Sequence, residues 1–288
     1  MICLTGDIHH TSSRTNDQVY LSKIHNGESR MDTEIKISNK FLELAAKYGL
    51  KITFYVTGLT LKEEWDDFKD IAGSPLVELG GHTYSGIPLS GWERIKYCLR
   101  GIKPPSHKND YGSIKYQKKD IYRTLEIISN KTGKEVVSWR SHGYVHDDNT
   151  YKLLNDFGVR FISDEISSTI VKPYRIKEGL ICHPINSVPD HDHIFHAHRD
   201  EVFCESAKLR GYGADAFGCE NYYAEEWGEL VKKQVLDIER TGGLATVLMH
   251  PLCQFLADGF KTAETLFGFF SRYKTIWVRE ITDYYSDL

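Results

Sequence analysis

The side chains of this 288-residue sequence best suited to chemistry are Asp7, His9, His10, His82, Arg140, His142, the run Asp190-His191-Asp192-His193, and His250. A carboxylate can take a proton. An imidazole can give one, or bind a divalent cation through a neutral ring nitrogen, and a guanidinium can keep a carboxylate ionised. Together these are the parts of a cation-assisted acid–base site. Singly they have ordinary readings: an Asp after a strand caps a turn, a lone His fills a core, an Arg pairs at a surface. Their positions argue for more, because each follows an apolar, β-prone run.

Those runs are 2–8 before His9, 51–58, 76–79 before Gly80-Gly81-His82, 136–139 before Arg140, 159–162, 180–185 before the 189–193 segment, and 244–249 before His250. Between them lie amphipathic patterns that predict helices over 32–48, 61–71, 114–129, 147–157, 224–240 and 263–272. Asp32 or Thr33 can cap the first of these, with Gly49 closing it and Gly158 stopping a later one. The polar stretch 11–30 reads as a loop, as do 101–113 with Pro104-Pro105 and an insertion around Gly211-Tyr212-Gly213. Strand-helix alternation of this kind implies parallel strands with right-handed crossovers, and ligands bind where such strands end. The pattern alone is equally compatible with an open sheet and a closed barrel. No linker or internal repeat divides it, so a single domain over 1–288 is expected.

Composition removes several function classes. Lys and Arg number 36 against 40 Asp and Glu, for a net charge of −4, and no basic block offers a nucleic-acid footprint. No apolar run approaches the roughly 18 residues of a membrane span. The opening residues predict neither signal peptide nor anchor. The six cysteines, at 3, 98, 182, 204, 219 and 253, are scattered without a CxxC pair. They read as reduced and mostly packed, and a cytoplasmic location is expected.

Six segments in order resemble the polysaccharide deacetylase family, the NodB-homology or carbohydrate esterase family 4 hydrolases. Leu4-Thr5-Gly6-Asp7-Ile8 is similar to that family's opening Thr-Phe-Asp-Asp, and Ile52-Thr53-Phe54-Tyr55-Val56 to its second strand. His82-Thr83-Tyr84-Ser85 is similar to the start of the metal motif His-Ser/Thr-x-x-His. Arg140-Ser141-His142-Gly143-Tyr144 loosely resembles its arginine motif, Phe161-Ile162-Ser163-Asp164 the next, and Val247-Leu248-Met249-His250 its closing Leu-x-His. The resemblance implies a distorted (β/α)7 barrel and metal-dependent hydrolysis of an amide, usually the N-acetyl group of an amino sugar in a glycan or glycan precursor. It puts Asp7 on the catalytic base, His250 on the general acid, Arg140 on the residue orienting the base, and His82 on the first metal histidine.

Departures from the motif bear on the metal, expected to be Zn²⁺. Gly86 stands at the family's second metal histidine and Ile8 at its second aspartate. Some relatives carry a metal carboxylate two residues after the base, and here that position is His9. Alternation along a strand would point Asp7 and His9 the same way and Ile8 outward, which makes His9 a candidate ligand. The histidines at 191, 193, 196 and 198 offer a third, with His191 the choice and His142 an alternative that sequence does not rank against it. Asp190 and His191 could equally contact a substrate sugar. Tyr84, Trp92, Tyr144 and Phe195 are aromatic faces a sugar could stack on. Two other readings stand beside the deacetylase: hydrolysis of a small non-sugar amide or imide, and a degenerate barrel that binds carbohydrate without turnover.

Overall fold

The computed structural model describes residues 1–11, 16–24, 33–86, 99, 111–210 and 214–288. Trp92, Cys98, Asp32, the 101–110 stretch and Gly211-Tyr212-Gly213 therefore lie outside the described residues.

Eight described strands form one sheet: β1 (Ile2–Ile8), β2 (Ile52–Val56), β3 (Val77–Gly81), β4 (Ser138–Trp139), β5 (Phe161–Ile162), β6 (Tyr174–Arg175), β7 (Ile181–Cys182) and β8 (Ala245–Leu248). Their order is β6-β7-β5-β4-β3-β2-β1-β8. Every pairing is parallel except β6 with β7. The seven parallel strands are those the alternation implies, and β6 adds an edge too short to show in sequence. The sheet curls until its ends approach each other. There Asn186 stands in for a strand ladder: its Oδ1 accepts from Thr246 N at 2.9 Å and its Nδ2 donates to the Leu244 carbonyl at 2.9 Å. The result is a distorted barrel, which decides what periodicity left open.

Alternation along β1 and β2 divides the molecule into layers. Ile2, Leu4, Ile8, Ile52, Phe54 and Val56 face outward into the apolar layer shared with the helices Glu34–Lys47, Ala224–Arg240 and Lys261–Phe270. Cys3 and Tyr55 face inward with Val137, Phe161 and Ile181, and Ile276, Val278 and Ile281 from the C-terminal segment close that end. Thr5 and Asp7 continue the inward column towards the opposite end. A one-residue slip of β1 would put Asp7 among the helices and lose several buried aliphatic side chains, at about 1.5–3 kcal/mol each, so the register is strongly held.

Elsewhere the expected elements differ in detail. The stretch 11–30, expected as loop, contains the helix Asn16–Ile24, whose 9 residues carry too weak an apolar stripe to be seen in sequence. The helix expected over 61–71 is two, Gly58–Glu63 and Trp65–Gly73. The segment after β7 holds the short helix Asp190–His193 and the helix Glu201–Leu209. Among the described residues, no helix is long and apolar enough to cross a membrane.

Candidate active site

Asp7 lies one residue before the end of β1, and His250 follows β8 as the residue capping the helix Pro251–Asp258. Their strands are neighbours, and Gly6 lets the two ends close. A Cβ at Gly6 would lie 2.7 Å from the Met249 carbonyl oxygen, so any larger residue would push β8 away just before His250. His250 Nε2 comes to 3.5 Å from Asp7 Oδ2. Arg140, wholly buried after β4, donates through Nη1 to Asp7 Oδ1 at 2.8 Å. Its Nη2 donates to Thr5 Oγ1 at 3.0 Å and Ser163 Oγ at 2.8 Å, and its Nε to the Ser163 carbonyl at 3.2 Å, which pin the guanidinium in place.

Electrostatics separate the two groups into base and acid. Burial alone would raise the Asp7 carboxyl, but Arg140, His82 and His250 outweigh it and hold it well below the usual carboxylate range. Burial alone would lower His250, but the Asp190 and Asp7 carboxylates hold it well above the usual imidazole range. Asp190 supplies the geometry too, with Oδ1 at 2.7 Å from His250 Nδ1 and Oδ2 accepting from the His250 amide at 2.6 Å. Gln254, one helical turn on, donates to the same Oδ2 at 2.9 Å. At neutral pH the pair is an ionised carboxylate facing an imidazolium, the protonation states required of a general base and a general acid.

Beside Asp7 stand three imidazoles. The rings of His9, His82 and His142 form a near-equilateral triangle, with centroids 5.1, 5.2 and 5.2 Å apart. One nitrogen from each lies within 4.8 Å of the other two. The elements placing them are legible locally. His9 is in phase with Asp7 along the strand direction. Gly80 and Gly81 allow β3 to press against β2 and β4, since a Cβ at Gly81 would lie 2.4 Å from the Trp139 ring, and His82 follows directly. His142 sits on a tight turn whose start is held by Asp164, which accepts from Ser141 N at 2.6 Å.

The donor chemistry of this triangle suits a divalent cation. His82 Nδ1 lies 2.8 Å from the Arg140 carbonyl, to which it can only donate, so its Nε2 lone pair turns into the site. His9 Nδ1 lies 2.9 Å from the Glu34 carboxylate, with the same consequence for its Nε2. Glu34 is itself held by the His9 amide at 2.8 Å and Gln18 Nε2 at 2.6 Å. Burial pushes His82 down to about 3, so the ring is neutral and able to ligate. Three imidazoles, with hydrogen-bonded back nitrogens on His9 and His82, make a donor set able to hold a divalent cation.

The structure thus brings Asp7, His9, His82, Arg140 and His250 together and adds His142. It does not bring His191 to His9 and His82. His191 follows Asp190 on the short helix Asp190–His193, its ring 5.5 Å from that of His250, and groups with Asp17, His196 and Cys253. Alternation ranks candidates only within a strand. Which of two loop histidines reaches the triangle depends on loop course, and the turn at Ser141 aims His142 inward. Three residues escape sequence reasoning in the roles they hold here. Asp190 reads there as a sugar contact, Glu34 resembles an ordinary acidic residue in a helix's first turn, and Asp17 falls in a stretch that reads as loop. Of the aromatic faces, Tyr84 is covered by the Arg123 guanidinium 3.6 Å from its ring, and Phe195 packs on Tyr223 at 5.2 Å.

Residues 32–162 match the family model described as polysaccharide deacetylase. No curated protein matches the sequence. Among solved structures, a Mycobacterium smegmatis protein assigned as a polysaccharide deacetylase superposes with a TM-score of 0.68 at 16% identity, over 99% of this chain and 90% of that one. The allantoinase PuuE superposes with a TM-score of 0.65 at 9% identity, with the same coverage of 99% and 90%. A CE4-family pseudoenzyme from Bacillus anthracis gives a TM-score of 0.53 at 16% identity, over 99% of this chain and 66% of that one. Such low identities speak for the fold alone. Residues 32–162, which include His82, Arg140 and His142, are thus similar to the polysaccharide deacetylase family, and the fold of such proteins is shared along nearly the whole chain.

Proposed function

We propose that the protein is a metal-dependent hydrolase that removes an N-acyl group, N-acetyl in the first instance, from an amino sugar of a glycan or glycan precursor. The observation that carries this reading is the meeting of Asp7 and His250 over the His9, His82 and His142 triangle, with Arg140 holding the base ionised. A divalent cation on those nitrogens, zinc by the preference of imidazole ligands, would polarise the amide carbonyl and acidify the attacking water. Asp7 accepts that water's proton. Its depressed basicity limits it to acidified water, which is why a cation belongs beside it. His250 delivers a proton to the departing amine, and Asp190 keeps the ring cationic and turned towards the bond. Arg140 keeps Asp7 ionised.

The test is acetate release from N-acetylglucosamine oligosaccharides by the metal-loaded protein. Asp7→Asn is expected to lower kcat about 10²–10⁴-fold with little change in bound metal. Full activity in that variant would remove Asp7 from the base role. A substrate panel containing allantoin tests the imide reading, which the fold shared with PuuE keeps in view. Binding of acylated sugars without hydrolysis of any compound would leave the degenerate reading standing. The intact base, acid and orienting residue argue against that outcome.

A further inference from the structure

A second group of metal-ligating atoms adjoins the first site. Asp17, on the helix Asn16–Ile24, is buried, as are His196 and Cys253, while His191 is partly open to solvent. Asp17 Oδ2 lies 3.3 Å from His196 Nε2, 3.6 Å from His191 Nδ1 and 3.4 Å from Cys253 Sγ. His191 Nδ1 lies 3.4 Å from Cys253 Sγ. All four residues place a ligand atom within 4.8 Å of the others. Ligands bonded to one tetrahedral zinc at about 2.0–2.3 Å are separated from each other by about 3.3–3.7 Å. The observed spacings fall in that range.

Hydrogen bonding behind the ligands points the same way. His198 Nδ1 takes up the other carboxylate oxygen, Asp17 Oδ1, at 3.0 Å, which leaves Oδ2 aimed at the group. His196 Nδ1 lies 2.8 Å from the Ile194 carbonyl and must donate to it. A neutral His196 ring then turns its Nε2 lone pair on the Asp17 carboxylate, a contact that calls for a second ring proton or a cation between the two.

We propose that Asp17, His191, His196 and Cys253 form a second cation site, selective for a zinc-type divalent ion, that ties the helix Asn16–Ile24 to the start of the helix Pro251–Asp258. A mixed carboxylate, imidazole and thiolate set favours such an ion over the hard cations Mg²⁺ and Ca²⁺. Four protein ligands fill a tetrahedral shell, so this site is structural. On coordination the Cys253 thiol exchanges its S–H bond for an S–metal bond and its proton passes to solvent. The site also supports its neighbour, because Gln18, next to Asp17, holds the Glu34 carboxylate that orients His9.

The full-length protein, stripped with chelator and titrated with Zn²⁺, is expected to bind two equivalents, and with Co²⁺ to show a near-ultraviolet sulfur-to-metal charge-transfer band. Cys253→Ser should lose the band and one equivalent. His9→Ala should lose the other equivalent and keep the band, so failure at the acid–base site reads differently from failure here. Circular dichroism checks that the stripped variants are folded. Should Cys253→Ser not fold, the wild-type cobalt spectrum decides: a thiolate band supports the site. Its absence overturns the proposal, as does a folded Cys253→Ser protein with unchanged stoichiometry and spectrum.

Discussion

At the scale of single residues, the acid and the base differ in what sequence reveals of them. Residue type at strand ends is enough to single out Asp7, Arg140 and His250, and the structure joins them. The residue setting the acid's protonation, Asp190, lies 60 positions from His250, and its sequence reading as a sugar contact does not reveal that partner. Its removal has a defined sign. The His250 imidazolium, raised above its unfolded value by the Asp190 and Asp7 carboxylates against the opposing effect of burial, contributes stability that is complete below the unfolded imidazole pKa of about 6.5 and is lost as pH rises through the raised folded value. In Asp190→Asn the folded value falls. The alkaline limb of kcat is expected to move to lower pH, and activity above neutrality to drop about 10²-fold, with the acid limb, set by Asp7, unmoved. A pH–rate profile of the variant checks this, and an unshifted alkaline limb would assign that limb to another group.

At the scale of elements, the site depends on how closely neighbouring strands end together. Gly6 does this for β1 and β8, and Gly80 and Gly81 do it for β2, β3 and β4. Gly6→Ala forces its new methyl against the Met249 carbonyl, a backbone atom with no rotamer to yield, and is expected to cost about 1–3 kcal/mol of stability. It should also open the distance between Asp7 and His250, so kcat falls with little change in KM. Urea denaturation and steady-state kinetics measured together check this. A loss of stability with unaltered kcat would separate the glycine from the catalytic geometry. Sequence reasoning locates β1 and β2 closely because each is an apolar, β-prone run of five or more residues. The runs at β4, β5 and β7 are legible too, but only two residues of each join the ladder, and β6 leaves no periodicity to read.

At the scale of the whole molecule, Asn186 closes the barrel where the ladder is missing. Asn186→Ala would leave the Thr246 amide and the Leu244 carbonyl without these partners in a buried seam. The expected loss is about 1–3 kcal/mol, seen as a lower urea midpoint with unchanged slope. A midpoint equal to wild type would show that water replaces the side chain at the seam. Features that depend on neighbours along the chain were legible before any fold was known. They are the alternation that turns Asp7 and His9 inward while Ile8 packs on helices, the strand-helix order that brings strand ends to one face, and the motif residues that match a known hydrolase family. Folding in three dimensions selected the histidine that completes the triangle and the carboxylate that charges His250, and it joined Asp17 to His191, His196 and Cys253. Those choices depend on loop paths between residues far apart in sequence. Side chains 60 to 236 positions apart leave no mutual trace in composition or periodicity until folding makes them neighbours.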